Sequence, residues 1–357
     1  MHITTGRLAF AAVLLALLSG IVGGILGALI RSDPSDVAGS AGSPAAADLA
    51  MCDVTDVSAQ VFPSLVTINV QRGSVAGSGS GSVLDPEGNI LTNDHVIAPA
   101  IGGTITVDFA RGQSSVPATV VGRDPSTDLA VIRVPSGAAP LSPIGIGDSA
   151  ALVVGQPVVA AGSPLGLNGT ITAGVVSALS RYVNVGQGDA AATLVNAVQT
   201  DAAVNPGNSG GPLTDCSGRQ VAVNSAGAQT PDGGGGSIGL NFAIPIDFAQ
   251  SVAQQLIQTG HATHPVIGVL TATVTDEMAQ ATALPRGALV EEILPGLGAA
   301  RAGLRKGDVI TTVGGTAVSG TDQLLVAVRA HKGGDTVQLG YSRNGSPQNA
   351  AVTVTES

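Results

Sequence analysis

Residues 207–226 read GNSGGPLTDCSGRQVAVNSA, and the choice of fold turns on what surrounds Ser209 in that stretch. Gly207, Gly210 and Gly211 admit backbone conformations closed to residues with a Cβ. Successive amides can therefore point into one small pocket beside the Ser209 hydroxyl. Such a loop presents a nucleophile, and the N–H groups of Gly207 and Ser209 are its candidate oxyanion donors.

The same letters satisfy G-x-S-x-G, the nucleophile elbow of α/β-hydrolases, which places its serine on a strand-to-helix turn. Here Ser209 is followed by Gly210, Gly211 and Pro212, a poor first turn for a helix, and then by the strand-like run QVAVNSA. The elbow is set aside on that ground. Upstream, short β-branched runs are broken by Gly, Pro, Asn and Asp: SLVTINV, SGSVLD, GNILT, TITVDF, ATVVGRD, LAVIRV, PVVAAGS, TAGVVSAL and VNAVQT. With no helical period between them, these runs and QVAVNSA predict an antiparallel barrel or a pair of barrels.

Within residues 53–260 the only imidazole is His95, in LTNDHVI. If an imidazole activates Ser209, the choice is forced. The carboxylate that orients it is less easily chosen. Asp94 is adjacent, and neighbours on an extended chain point opposite ways. Asp128 opens the apolar run LAVIRV after the polar turn DPST and stands at the mouth of a buried strand; Asp124, at the start of that turn, is the alternative. The order His95, Asp128, Ser209 is that of a chymotrypsin-like triad.

Composition narrows the rest. The 357 residues leave room for two or three domains. A formal net charge of −10 and a pI near 4.7 exclude a nucleic-acid partner, because nothing is present to neutralise a row of phosphates. With five Phe, two Tyr and no Trp, the cores must rest on Val, Ile, Leu and Ala. Leu8 to Ile30 is uncharged and long enough to span a bilayer. The A-x-A-like stretch Ala45 to Ala47 lies well past its end, so residues 1–30 read as a cytoplasmic stub and an uncleaved signal anchor. Residues 31–52 have the composition of a flexible tether. The two cysteines, Cys52 and Cys216, are expected to bond outside the cytoplasm, the alternative being two buried free thiols. The chain offers too few candidate ligands for a zinc site.

With these residues in place the chain resembles an HtrA/Deg-type serine protease. LTNDHVI, DPSTDLAVIRV, GSPLGLNGTITAGVVSALSR, VQTDAAVNPGNSGGPL and GLNFAIPID carry the resemblance across most of residues 58–250. It implies a trypsin-like double β-barrel over residues 53–260, with His95, Asp128 and Ser209 as the triad. Asp94 departs from the family pattern, in which that residue is more often uncharged. Ala203, six before the nucleophile, takes the S1 position and implies cleavage after Val, Ala or Leu. Asn208 replaces the zymogen aspartate, so no new amino terminus is needed for activity. The Gly-rich stretch 227–239 is expected to be a mobile loop near the site.

After Pro245 the period changes. Asp247 is a plausible N-cap, Phe248, Val252 and Leu256 recur at helical spacing, and Gly260 stops the helix. Residues 261–357, centred on GALVEEILPGLGAARAGLRKGDVITTVGGTAV, resemble an α+β PDZ domain of the bacterial HtrA type. Its implied carboxylate loop is Val266, Ile267, Gly268 and Val269, with Asp322 to Ala330 as the helix along the groove. The whole is read as a single-pass, membrane-anchored, ATP-independent endopeptidase of protein quality control. Its protease and PDZ domains are extracytoplasmic, its substrates are unfolded or exposed polypeptide, and it needs no cofactor. The family also implies a homotrimer. A chaperone or tethered scaffold with little proteolysis is the alternative, and quality control retained by a Ser209→Ala variant would favour it.

Overall fold

The structure, a computed structural model, describes residues 51–110, 112–163, 169–185, 192–227 and 236–357. The expected anchor at 8–30, the tether up to residue 50, residues 164–168 of the GSPLGLNG motif and most of the Gly-rich loop lie outside the described residues. Among the described residues no helix is long and apolar enough to cross a membrane.

Helix α1 (Val54–Val61) opens the fold, capped by the Asp53 carboxylate, which accepts from the N–H groups of Thr55 and Asp56. Six strands follow: β1 (Leu65–Arg72), β2 (Val75–Val83), β3 (Asn89–Thr92), β4 (Thr104–Phe109), β5 (Val116–Asp124) and β6 (Leu129–Arg133), with the short helix α2 (Asp94–Ile97) between β3 and β4. They close a barrel in the order β1-β2-β3-β6-β5-β4. Closure removes the open edges that such short strands would otherwise expose. Val66, Ile68 and Val70 alternate into its core with Ile90, Val107 and Ile132.

The second barrel is built from β7 (Pro157–Gly162), β8 (Thr170–Val185), β9 (Ala192–Thr200), β10 (Pro212–Thr214), β11 (Gln220–Gly227) and β12 (Asn241–Pro245), closed as β10-β11-β12-β9-β8-β7. Its core of Val158, Ala160, Val176, Val198, Leu213 and Ala222 is as small-residue and aromatic-free as the composition requires. All ten runs read as strands fall in these barrels. The strands β10 and β12 were not anticipated: one has three residues and begins with Pro212, the other ends on Pro245, so neither shows a β-branched run.

Helix α3 (Ile246–Thr259) buries Ile246, Val252 and Leu256 in a cluster that also takes Leu91 and Val131 from the first barrel and Val223 and Ile244 from the second. It therefore fastens the two barrels together. Gly260, at φ 80°, ends it, donating to the Leu256 carbonyl at 3.0 Å. The N-cap is Pro245, not Asp247; the Asp247 carboxylate instead accepts from the Ser149 hydroxyl at 2.7 Å. A disulfide joins Cys52, ahead of α1, to Cys216 in the β10–β11 turn.

The C-terminal module contains β13 (Pro265–Val266), β14 (Val269–Thr273), α4 (Asp276–Thr282), β15 (Ala288–Ile293), α5 (Gly298–Arg301), β16 (Val309–Val313), β17 (Thr316–Ala317), α6 (Thr321–Arg329), β18 (Thr336–Arg343), β19 (Ser346–Thr353) and β20 (Thr355–Glu356). Its main sheet runs β14-β15-β16-β18-β19, and β13 pairs with β20. Among the described residues strand β14 pairs with β15 alone, which leaves its other edge open to them. The GGTAV turn is accommodated because Gly314 and Gly315, at φ 57° and 84°, supply the two positive φ angles of a tight hairpin. The module meets the barrels where His264 Nε2 lies 2.6 Å from Asp124 Oδ2.

Candidate active site

His95 lies on α2 and Asp128 at the end of the 3-10 turn Pro125–Thr127. The Asp128 carboxylate receives the imidazole at two distances, Nδ1 to Oδ1 2.8 Å and Nδ1 to Oδ2 2.9 Å. It also accepts the His95 backbone N–H at 3.0 Å. Two further groups fix this residue: the Asn93 amide donates to the Asp128 backbone carbonyl at 2.8 Å, and the Ser225 hydroxyl donates to the carboxylate Oδ2 at 2.6 Å. Asp128 adopts φ 58°, ψ 38°, a left-handed conformation that costs most residues about 1–2 kcal/mol and aspartate less. It is also 2 % exposed, so its charge acts on the imidazole with little screening.

Burial is the largest single influence on His95 and opposes its charging. The Asp128 hydrogen bond, the Asp128 charge and a further contribution from Asp94 outweigh it, and the pKa is raised above the ordinary imidazole value of 6.5. Asp94 does not orient the ring. Both its oxygens are held by Arg123, Nε to Oδ1 at 2.6 Å and Nη2 to Oδ2 at 2.8 Å. The residue is helical here, so the extended-chain reason for dismissing it does not apply; the Arg123 fork is what turns it away. Asp124, the alternative acid, accepts from Ser126, Thr127 and His264 and lies in the seam with the C-terminal module.

Ser209 stands on a loop tied to the first barrel. Ser80 donates its N–H to the Ser209 carbonyl at 2.8 Å and its hydroxyl to the Gly207 carbonyl at 2.6 Å. Gly210, at φ 84°, packs so closely that a Cβ would collide with the Ser80 carbonyl and the Thr92 hydroxyl. Among the described residues nothing accepts from the N–H of Gly207 or of Ser209, so both candidate oxyanion donors are unengaged. The Ser209 hydroxyl donates to the Ser225 carbonyl at 3.0 Å, and no hydrogen bond joins it to His95. The structure thus brings the acid and imidazole together and leaves the nucleophile turned to a backbone acceptor.

Ala203 is half-buried beside this loop, its carbonyl accepting from Thr172 Oγ1 at 2.8 Å and, weakly, from the Asn208 amide at 3.4 Å. Asn208 is 1 % exposed, and its Oδ1 has no partner among the described residues. Ser80, Ser225 and Arg123 were not singled out by sequence reasoning. The polar pair Asn224-Ser225 inside the otherwise apolar run QVAVNSA was a usable signal, because a polar residue facing a core needs a partner there. Val266 to Val269 run from β13 to the start of the open strand β14, with Gly268 at φ 83°.

Comparison with known proteins places this geometry in a class. Residues 79–223 match the trypsin-like peptidase domain family and residues 265–354 the PDZ domain family. The serine protease PepD of Mycobacterium tuberculosis is 42 % identical over 371 residues, covering 98 % of this chain and 78 % of that protein. The periplasmic pH-dependent serine endoprotease DegQ of Escherichia coli is 36 % identical over 78 % of this chain, which spans 58 % of DegQ. Among solved structures, the HtrA-type protease AlgW with decapeptide superposes with a TM-score of 0.68 at 30 % identity, covering 85 % of this chain and 98 % of AlgW. The chain belongs to the HtrA/DegP family of serine proteases.

Proposed function

We propose that the chain is a membrane-anchored serine endopeptidase that cuts unfolded or exposed polypeptide outside the cytoplasm, with a PDZ domain that binds C-termini. The observation that carries this reading is the doubly bonded His95–Asp128 pair beside a nucleophile loop whose two candidate oxyanion amides are unengaged. Ser209 attacks the substrate carbonyl, His95 takes its proton and later delivers it to the leaving amine, and Asp128 holds the tautomer and stabilises the imidazolium. The N–H groups of Gly207 and Ser209 receive the charge that develops on the carbonyl oxygen. The bond from Ser209 to the Ser225 carbonyl marks a resting state. A substrate backbone N–H that takes over this carbonyl frees the hydroxyl to turn towards His95, so binding and activation are coupled.

Three further elements of the reading have separate support. Ala203 at the S1 position brings no carboxylate to meet a basic side chain, which favours Val, Ala or Leu before the cut. The Cys52–Cys216 bond fits an oxidising compartment, and DegQ is a periplasmic enzyme by name. The apolar run at 8–30 supplies the anchor. The domain limits 53–260 and 261–357 are drawn at the end of helix α3, which Gly260 closes, and a homotrimer through the protease domain is part of the same proposal. A library of unstructured peptides tests the pocket: cleavage after aliphatic residues is expected, and strong preference for Arg or Lys would overturn it.

A further inference from the structure

Cys52 and Cys216 are the only cysteines of the chain, and their surroundings differ. Cys52 is 9 % exposed and packs among Val57, Val61, Leu65, Val159 and Ala161. Cys216, in the turn between β10 and β11, is exposed. A thiol in solution can therefore reach the bond from the Cys216 side, and accessible disulfides are the labile ones.

Both ends of the bond are held in place without it. On one side Asp53 caps α1, and Val57 and Val61 seat the helix across the two barrels, against Leu65 of β1 and Val159 and Ala161 of β7. On the other, the Asp215 carboxylate organises the turn, accepting from the N–H groups of Ser217 and Arg219 at 2.8 and 3.0 Å and from Arg219 Nε at 2.9 Å. Gly218 packs directly on Gln60 of α1. Opening the bond thus leaves two thiols facing each other, and it can close again.

The bond also completes a ring around the nucleophile loop. From Ser209 the chain runs through β10 to Cys216, seven residues on. It crosses to Cys52 and α1, which the Ser64 hydroxyl ties to β1 by donating to the Val61 carbonyl at 2.8 Å. Strand β1 places Thr67 opposite Ser80 of β2, and Ser80 returns to the loop through its bonds to the Ser209 and Gly207 carbonyls. His95 and Asp128 belong to the first barrel and Ser209 to the second, so a clasp between the barrels bears on their alignment.

We infer that Cys52–Cys216 is a redox switch of the peptidase, opened by a dithiol reductant and lowering turnover when open. A thiolate of the reductant attacks Cys216 Sγ, the bond between the two Sγ atoms breaks, and Cys52 leaves as a thiolate that takes a proton from water. The chain has no third cysteine to resolve the mixed disulfide. The reductant's second thiolate does so, releasing Cys216, which is protonated in turn, and leaving the reductant as its own disulfide; two electrons have passed to the protein. With the ring open, the Ser80 clamp on the nucleophile loop slackens, and the Gly207 and Ser209 amides lose register with the substrate carbonyl. This rests on the proposed role of Ser209.

The test uses the full chain in detergent, oxidised and after dithiothreitol, with thiols counted by maleimide labelling and the fold followed by far-UV circular dichroism. Cleavage of an unstructured peptide with Val before the cut gives kcat and KM. Dithiothreitol is expected to open the bond without denaturant and to lower kcat about fivefold, with KM and the dichroism unchanged; re-oxidation should restore kcat. The Cys52→Ser/Cys216→Ser variant should show the reduced parent's kcat and no response to dithiothreitol. A kcat unchanged or raised with the bond demonstrably open, a bond that opens only in denaturant, or loss of the fold on reduction would overturn the inference alone. Failure of the parent to cleave any peptide, oxidised or reduced, would overturn the peptidase reading beneath it, and the inference with it.

Discussion

At the scale of single residues, a second carboxylate, that of Asp94, acts on His95 beside that of Asp128. Asp94 contributes to the raised pKa of His95. In the proposed mechanism His95 must be neutral to accept the Ser209 proton, so activity is expected to rise with pH through that raised value. Asp94→Asn removes one of the raising influences. The acid limb of kcat/KM should then move to lower pH, while Asp128→Asn should cost about 10⁴ in kcat by loss of the correct tautomer. A pH profile of peptide cleavage measures both. Ser225→Ala deprives the Asp128 carboxylate of its 2.6 Å donor and is expected to lower kcat about tenfold. His95 was legible because it has no rival imidazole in the barrel region. Ser225, Ser80 and Arg123 were not, since each acts on a partner far along the chain, as Ser80 does on Gly207, and only the closed barrels bring them together.

At the scale of elements, the nucleophile loop and the staple beside it depend on close backbone approach. Gly210→Ala would press a Cβ into Ser80 and Thr92 at a positive φ. It is expected to abolish activity, with a drop in denaturation midpoint well beyond that of a surface substitution. The disulfide spans a sequence separation of 164 residues. Replacing Cys52 and Cys216 by serine should reduce unfolding free energy by about 4–5 kcal/mol on the chain-entropy account, measured by denaturant titration of the variant against the oxidised parent. Strand periodicity found ten of the twelve barrel strands. It missed β10 and β12 because register with their neighbours, rather than their own apolar content, makes them strands. Helix α3 was legible from its spacing and its terminal glycine, but its start was misplaced, since Asp247 is drawn to Ser149 instead of capping the helix.

At the scale of the whole molecule, the proposed catalytic acid and the PDZ domain are joined through a few residues. Asp124 sits at one end of the Pro125–Thr127 turn, against His264, and Asp128 at the other. Burial raises the Asp124 pKa, but hydrogen bonds from His264, Thr127 and Ser126 and the His264 charge lower it further, so the net value lies below 3.8. A depressed carboxylate contributes stability above its unfolded pKa, and that stability is lost as pH falls through the folded value. Asp124→Asn should therefore be less stable than the parent at neutral pH, with the gap closing below about pH 4; denaturation midpoints across that range measure it. None of this seam was legible beforehand, because Asp124 and His264 belong to different domains and lie 140 residues apart.

The central claim, that Ser209 with His95 and Asp128 hydrolyses peptide bonds, is tested most directly by incubating unfolded β-casein with the chain and with its Ser209→Ala variant, then identifying the cut sites by mass spectrometry. The account predicts cleavage by the parent after Val, Ala or Leu and none by the variant. Equal cleavage by both, or none by either even with free-carboxylate peptides added, would contradict it.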